Sequence, residues 1–228
     1  MKVDLIPPAE GQYNLKNYDE AYANFNWADV EKQFSWYETG KVNIAYEAID
    51  RHLQTERRDK IALLYSDATR DERYTFAQLS ELSNKFGNVL RSLGIVKGDR
   101  VFVFMPRSPE LYVSVLGALK IGAIVGALFE AFLEAAVRDR LEDSEAVAIV
   151  TTPALLPRIP VKDLPALKHI ILVGATNELQ KGQISYEEAM ASASSELESE
   201  WVDREDGMLL HYTSVSTGKP KGVLHVHN

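Results

Sequence analysis

With 228 residues, 46% of them hydrophobic and 25% charged, the sequence is long enough to bury one large α/β core or two smaller ones. The formal net charge of −8 repels nucleic acid and anionic membrane, so any phosphate this chain binds has to be gripped by a local site. There is no cysteine, which excludes disulfides, thiolate metal sites and cysteine nucleophiles and leaves the chemistry to oxygen and nitrogen groups.

The N-terminal MKVDLIPPAEGQY carries acid and two prolines rather than a positive start and a long apolar core, so no secretory signal is expected there. The longest apolar window, residues 121–129, is far too short to span a bilayer. The expectation is a cytoplasmic protein with no nucleic-acid and no membrane partner.

Residues 1–58 read as a helical N-terminal lead-in, rich in aromatics and with Ile44, Ala48, Ile49 and Leu53 at helical spacing. Trp27 and Trp36 are expected to pack on the main body. Residues 59–228 change character, to short apolar runs separated by amphipathic helices, the pattern of a largely parallel, doubly wound sheet with helices on both faces.

IALLY at 61–65 is taken as the first strand. Thr75 and Gln78 form a capping box for a helix whose Leu79, Leu82, Phe86, Leu90 and Leu93 share a face, with Gly94 placed to end it. The Lys97-Gly98-Asp99 turn leads into the strand VFVFM. Ser108 and Pro109 then open a second helix, and AIVGALF at 123–129 closes a β-α-β unit. A helix at 132–142 precedes the strands AVAIVTT and HIILVG, giving four or five parallel strands. Ser185 and Glu188 cap a helix expected to reach Trp201. The runs MLLHYT and GVLHVH read as an antiparallel pair around a polar loop.

That loop, Tyr212-Thr213-Ser214-Val215-Ser216-Thr217-Gly218-Lys219-Pro220-Lys221-Gly222, gathers hydroxyls, lysines and glycines between two strands. Short hydroxyls and backbone N–H groups can approach phosphate oxygens, glycine removes the blocking Cβ, and lysine supplies charge. It is not the GxxxxGK[ST] loop, which would need glycine at 213 and serine or threonine at 220, where Thr213 and Pro220 stand. On composition alone the segment serves equally as a solvated turn.

The string Y-T-S-x-S-T-G-K-P-K-G-V closely resembles the phosphate-loop signature of the adenylate-forming superfamily of acyl-CoA synthetases, luciferases and peptide-synthetase adenylation domains, and only Val215 departs from it. YTFAQL at 74–79 and LKIGAIVGALF at 119–129 resemble the same superfamily in the same order. Within it, GKVNIAYEAIDRHL at 40–53 and GDRVFVFMPRSPEL at 98–111 are similar to the N-terminal region of AMP-forming acetyl-CoA synthetases.

The resemblance implies an acetate:CoA ligase that activates acetate with ATP and Mg²⁺ to acetyl-AMP and pyrophosphate, then transfers the acetyl group to CoA. It implies that Thr213, Ser214, Ser216, Thr217 and Gly218 hold the β and γ phosphates, with Lys221 as the charged partner. Arg158, in PRIPVKDLP, resembles a position where arginine meets the 3′-phosphate of CoA, although a solvated surface arginine fits the segment as well. On this reading the sequence is the front of a large adenylation domain, ending just after the phosphate loop. The adenine, ribose and acyl contacts, the metal-binding glutamate and the mobile C-terminal domain with its catalytic lysine would lie outside it. No catalytic residue falls within it, the 228 residues alone are expected to be inactive, and an open sheet edge could drive self-association.

Val215 stands where the superfamily has glycine; a β-branched residue resists positive φ and crowds the phosphate with methyls. That favours an alternative, a non-catalytic α/β scaffold or partner-binding module with a disabled loop. Ala127 is a lesser departure, from proline. His225 and His227 share a strand face but have no third ligand nearby in sequence, so packing or hydrogen bonding is expected of them rather than metal ligation. Residues 137–143 read as the charged face of a surface helix. A dinucleotide-binding domain lacks support, because no GxGxxG follows a strand.

Overall fold

The computed structural model describes residue 15 and residues 17–176, 178–213 and 219–227. Its centre is a seven-stranded sheet in the order β7-β6-β5-β3-β4-β8-β9, built from β3 (Arg100–Phe104), β4 (Ile124–Ala127), β5 (Ala148–Thr151), β6 (His169–Leu172), β7 (Gln183–Ser185), β8 (Gly207–Thr213) and β9 (Lys221–Val226). Every neighbouring pair is parallel except β8 and β9, which form an antiparallel hairpin.

The sheet is covered on both faces, and the alternation along β3 shows why. Val101 and Val103 enter one apolar cluster with α5 (Phe76–Ser92), α6 (Pro109–Lys120) and α8 (Tyr186–Ser192). Phe102 and Phe104 enter a second cluster with α7 (Glu134–Asp143) and the 3-10 turns after β5. Successive residues of a strand point to opposite faces, so a continuous apolar run is the signature of a strand buried on both.

The capping box at Thr75 and Gln78 forms with both of its hydrogen bonds, and Gly94 takes φ 78° just past the end of α5. Gly117 on α6 lets the α5 and α6 backbones meet: a Cβ there would stand 2.7 Å from the Ser83 carbonyl oxygen and 2.9 Å from the Gly87 nitrogen.

The structure corrects four expectations. IALLY does not join the large sheet; β1 (Ile61–Ser66) pairs antiparallel with β2 (Asp71–Thr75) in a separate hairpin. Ala62, Leu63 and Tyr65 are half-buried and its other residues exposed, as in a strand covered on one face only, with the register shift between Ile61 and Leu63 breaking strict alternation. Second, β8 docks parallel against β4 and the three-residue β7 extends the other edge, so the parallel array exceeds four or five strands.

Third, α8 stops at Ser192 rather than near Trp201. The chain beyond it is held extended across α5, where Asn84 donates to the Ser195 carbonyl at 2.9 Å and Asn88 to those of Ser194 and Glu196 at 2.8 Å. Arg91 adds a bond to the Glu198 carbonyl at 3.0 Å. This side-chain ladder takes the carbonyls that a longer helix would have used internally.

Fourth, Trp27 does not pack on the main body. It is 71% exposed and stands edge-on to Phe25, with ring centroids 5.0 Å apart. Trp36 is half-buried, stacked on Phe34 at 4.2 Å with Arg204 over its ring.

The lead-in comprises the short helices α1 (Tyr18–Asn24), α2 (Trp27–Glu31), α3 (Trp36–Thr39) and α4 (Ile44–Ala48), followed by a 3-10 turn, Asp50–Gln54. Asn43 anchors it. Fully buried, its carboxamide oxygen caps α4 through the Ala45 and Tyr46 N–H groups, while its nitrogen donates to the Leu119 and Glu200 carbonyls. Beside it, Val42 bridges antiparallel to Val202.

Candidate functional site: the root of the β8–β9 loop

The β8–β9 hairpin places Thr213 directly opposite Lys221, both exposed, at the base of the polar loop. A hydroxyl donor and an ammonium therefore share the loop's mouth. Ser214, Ser216, Thr217 and Gly218, together with Val215, lie outside the described residues.

One residue below the mouth, Tyr212 fixes the hairpin to α7. Its hydroxyl donates to the Asp143 carboxylate at 2.6 Å, with the Arg140 carbonyl as a second acceptor at 3.2 Å. Burial and the Asp143 carboxylate both push the phenol's pKa up, so Tyr212 stays a donor throughout the physiological range. On the other arm, Lys219 approaches Asp139 of the same helix at 3.8 Å. A hollow of about 210 Å³ lies between the arms and α7.

A larger cleft, about 740 Å³, opens beside it over the carboxyl ends of β3, β4 and β8, lined among others by Arg107, Tyr112, Phe129, Phe132, His211 and Tyr212. Strand order reverses at β3, which sits between β4 and β5. In open α/β sheets the crevice beyond the strand ends at such a switch point is where ligands bind.

Arg158 ends a 3-10 turn, Leu156–Arg158, after β5. Its Nη1 donates to the Glu130 carbonyl at 2.8 Å and the Phe132 carbonyl at 3.3 Å, so this guanidinium is tied to the rim of the cleft rather than merely solvated.

The run 137–143 corrects another expectation. It is not only a charged surface: Val137, Arg140 and Leu141 are buried. The Arg140 guanidinium stands 4.3 Å from the centre of the Phe132 ring and 5.7 Å from that of Tyr212. Sequence reasoning missed Arg140, Phe132 and Asp143 as neighbours of the loop. The available signal was the position of Arg140 between Val137 and Leu141, on the apolar side of α7.

His225 is exposed on β9 while His227 is buried beyond it, and the two do not converge. His227 Nδ1 accepts the Ile44 N–H at 3.3 Å. Among the described residues no group of three or more His, Asp or Glu side chains could hold a metal. No helix among them is long and apolar enough to cross a membrane.

Comparison with known proteins places this geometry. Residues 49–228 match the family described as AMP-binding enzyme. The chain is 61% identical over all 228 residues to an acetyl-coenzyme A synthetase of Bacillus subtilis (strain 168), and spans 40% of that protein's length. It is 38% identical over 215 residues to the acetyl-coenzyme A synthetase of Magnetococcus marinus, covering 86% of this chain and 33% of that one. The crystal structure of a Brucella canis acyl-CoA synthetase superposes with TM-score 0.81 at 31% identity, covering 92% of this chain and 38% of that one. The anthranilate CoA ligase AuaEII, solved with anthranoyl-AMP, superposes with TM-score 0.73 at 31% identity over 82% of this chain and 35% of its own. On the family match and the whole-chain identity together, this chain belongs to the AMP-binding enzyme family.

Proposed function

We propose that the chain carries the phosphate-gripping part of an AMP-forming acetate:CoA ligase acting in the cytoplasm. The observation that carries the proposal is the pairing of Thr213 with Lys221 across the hairpin that bears the loop. The acetyl-CoA synthetase relatives support acetate and CoA as substrates, and the anthranoyl-AMP held by AuaEII supports an acyl-adenylate intermediate.

In this reaction a carboxylate oxygen attacks the α-phosphorus of ATP, the bond to the bridging oxygen breaks and pyrophosphate leaves. The CoA thiol then attacks the acyl carbon and AMP departs. The chain's own task is to hold the leaving pyrophosphate in line and offset its charge. Lys221 supplies the positive charge and Thr213 a hydroxyl donor, joined in this reading by Ser214, Ser216, Thr217 and Gly218. The donor set at the mouth is one hydroxyl and one ammonium, which suits an Mg²⁺ arriving on the phosphates and keeping its waters. When bound, that ion supplies further charge neutralisation. Arg158, at the cleft rim, would receive the 3′-phosphate of CoA.

Calorimetric titration with Mg²⁺–pyrophosphate tests the reading. Saturable binding is expected, weakened about tenfold or more by Lys221→Ala, since a hydrogen bond to a charged group is worth about 1.5–3 kcal/mol. Lys41→Ala, which removes a surface pair with Asp203, serves as the control. Binding indifferent to Lys221 would sink the assignment and leave a non-catalytic module in its place.

A further inference from the structure

A separate cavity of about 340 Å³ lies where the β1–β2 hairpin, α5, α6 and α8 meet, and it shares no lining residue with the cleft. That volume suits a small organic molecule. Its wall is apolar where Leu82 of α5, Val113 of α6 and Met190 of α8 converge.

Tyr186, at the start of α8, is the polar group most deeply set in this wall. It is 7% exposed, its ring packs on Phe86 with centroids 5.7 Å apart, and its hydroxyl has no hydrogen-bond partner among the described residues. A buried hydroxyl ordinarily finds one. Tyr74, on the same wall, does so by donating to Glu72 at 2.6 Å. Burial, followed by the Glu110 and Glu187 carboxylates, pushes the Tyr186 pKa up, so the phenol keeps its proton.

Both carboxylates border the cavity, and both are anchored from outside it. Glu110 Oε1 accepts Arg70 at 3.1 Å. Glu187 Oε1 accepts the Gly174 N–H at 2.8 Å, with the Ser185 hydroxyl at 3.4 Å from its other oxygen. An ionised carboxyl offers about four acceptor positions, so each retains capacity for a further donor. Among the described lining residues Lys85 is the one cation, and its ammonium turns to the exposed Glu81 at 4.0 Å, leaving its stem on the wall.

We infer that this cavity binds a small primary ammonium with an apolar body, the N–H groups shared among Glu110, Glu187 and the Tyr186 oxygen. The apolar body lies against Leu82, Val113 and Met190. Three acceptor groups match the three donors of a primary ammonium, whereas an anion would meet two like charges beside a half-dry wall. The chain's net charge of −8 also draws cations at longer range. No residue of the β8–β9 loop or of the cleft takes part, so this site stands apart from the ligase reading.

The test is an NMR titration of the isotope-labelled 228-residue chain with benzylammonium. Benzyl alcohol and benzyltrimethylammonium serve as the neutral and the N–H-free counterparts. Benzylammonium is expected to bind saturably, with shifts centred on Glu110, Val113, Tyr186 and Met190, and about tenfold tighter than either counterpart. Tyr186→Phe, which keeps the ring on Phe86 and removes only the oxygen, should weaken it about fivefold. Glu187→Gln, which keeps an acceptor for the Gly174 N–H, should weaken it about tenfold. Neither should change the affinity for benzyl alcohol by more than about twofold. Melting by circular dichroism establishes that both variants fold, and if one does not, the other decides.

Equal affinity for benzylammonium and either counterpart overturns the inference, because the cavity would then select apolar bulk or charge alone. Shifts centred on Asp139 and Glu142 of α7 overturn it as general attraction to an acidic surface. Binding that does not saturate, or that is indifferent to both substitutions, overturns it as well.

Discussion

Lys120, the last residue of α6, has no exposed surface, and its Nζ lies 2.7 Å from Oδ1 of Asp50 in the turn that ends the lead-in. The ammonium also donates to Asn84 Oδ1 at 2.6 Å, and Asp50 accepts the Ser80 hydroxyl at 2.6 Å. Burial pushes the Lys120 pKa down, opposed by the Asp50 carboxylate. A buried pair of this kind is poor evidence of net stability, because desolvating both charges offsets their attraction. Its measurable property is interdependence.

Removing Lys120 alone leaves a mostly buried carboxylate without its cation. Lys120→Met is therefore expected to cost about 3–5 kcal/mol in urea unfolding, and Lys120→Met with Asp50→Asn to recover most of that loss. Equal destabilisation by the single and the double variant would show that the lead-in is held elsewhere, by Asn43 for example.

His227 gives the same junction a pH dependence. Burial lowers its pKa below 6.5, with Asp206 opposing and Lys97 assisting, and its Nδ1 accepts the Ile44 N–H. A histidine held neutral in the folded chain contributes stability that is fully present above its unfolded pKa. That stability is lost as pH falls from 6.5 through the folded value, because the unfolded chain takes up the proton first. The urea midpoint should drop between pH 7.5 and 5.5. His52 and His169, whose pKa values burial also lowers, add to that drop, so the diagnostic quantity is the difference from His227→Gln, which should show a smaller fall. Identical falls would remove His227 from the account.

Where local rules decided the structure, the sequence could be read directly. Thr75 with Gln78, Gly94, and Pro109 in the first turn of α6 are set by neighbouring residues and stand at the expected positions, although Ser108 makes no capping hydrogen bond. The doubly wound sheet was legible from the runs around Val101, Val125 and Ile149, because strands buried on both faces lose their polar alternation. Readings failed where a partner distant in sequence intervened. Nothing local in the stretch after Ser192 announces that Asn84, Asn88 and Arg91, about a hundred residues earlier, will take its carbonyls.

At the site the division is similar. Thr213 and Lys221 could be named because they belong to one loop. Arg140, Phe132 and Arg158 could not be joined beforehand, because their contacts depend on how α7 and the turn after β5 pack beside the segment that follows β4.

Val215 offers a prediction that depends on sequence alone. If the loop needs a glycine-like positive φ at this position, valine stores about 1–3 kcal/mol of strain there. Val215→Gly should then tighten Mg²⁺–pyrophosphate binding by about fivefold to a hundredfold, the range that strain converts to. An unchanged dissociation constant in calorimetry would show the valine to be harmless.

The outer edge of β9 carries the last prediction. β9 ends the sheet, and among the described residues no strand pairs its far side; residues 221–225 are all exposed, with Leu224 at 52%. An open edge of this kind offers unpaired N–H and C=O groups together with apolar side chains, and the only charged residue described on it is Lys221 at one end. The 228-residue chain is therefore expected to self-associate as its concentration rises, seen as a growing weight-average mass in light scattering. Leu224→Lys, placing a charge mid-edge, should hold it monomeric to at least tenfold higher concentration, a shift of about 1.4 kcal/mol. Val161→Lys, which also replaces an exposed apolar residue but lies in a turn away from β9, should leave the association unchanged. If both variants act alike, general surface hydrophobicity is responsible, and if neither does, the β9 edge is not the contact.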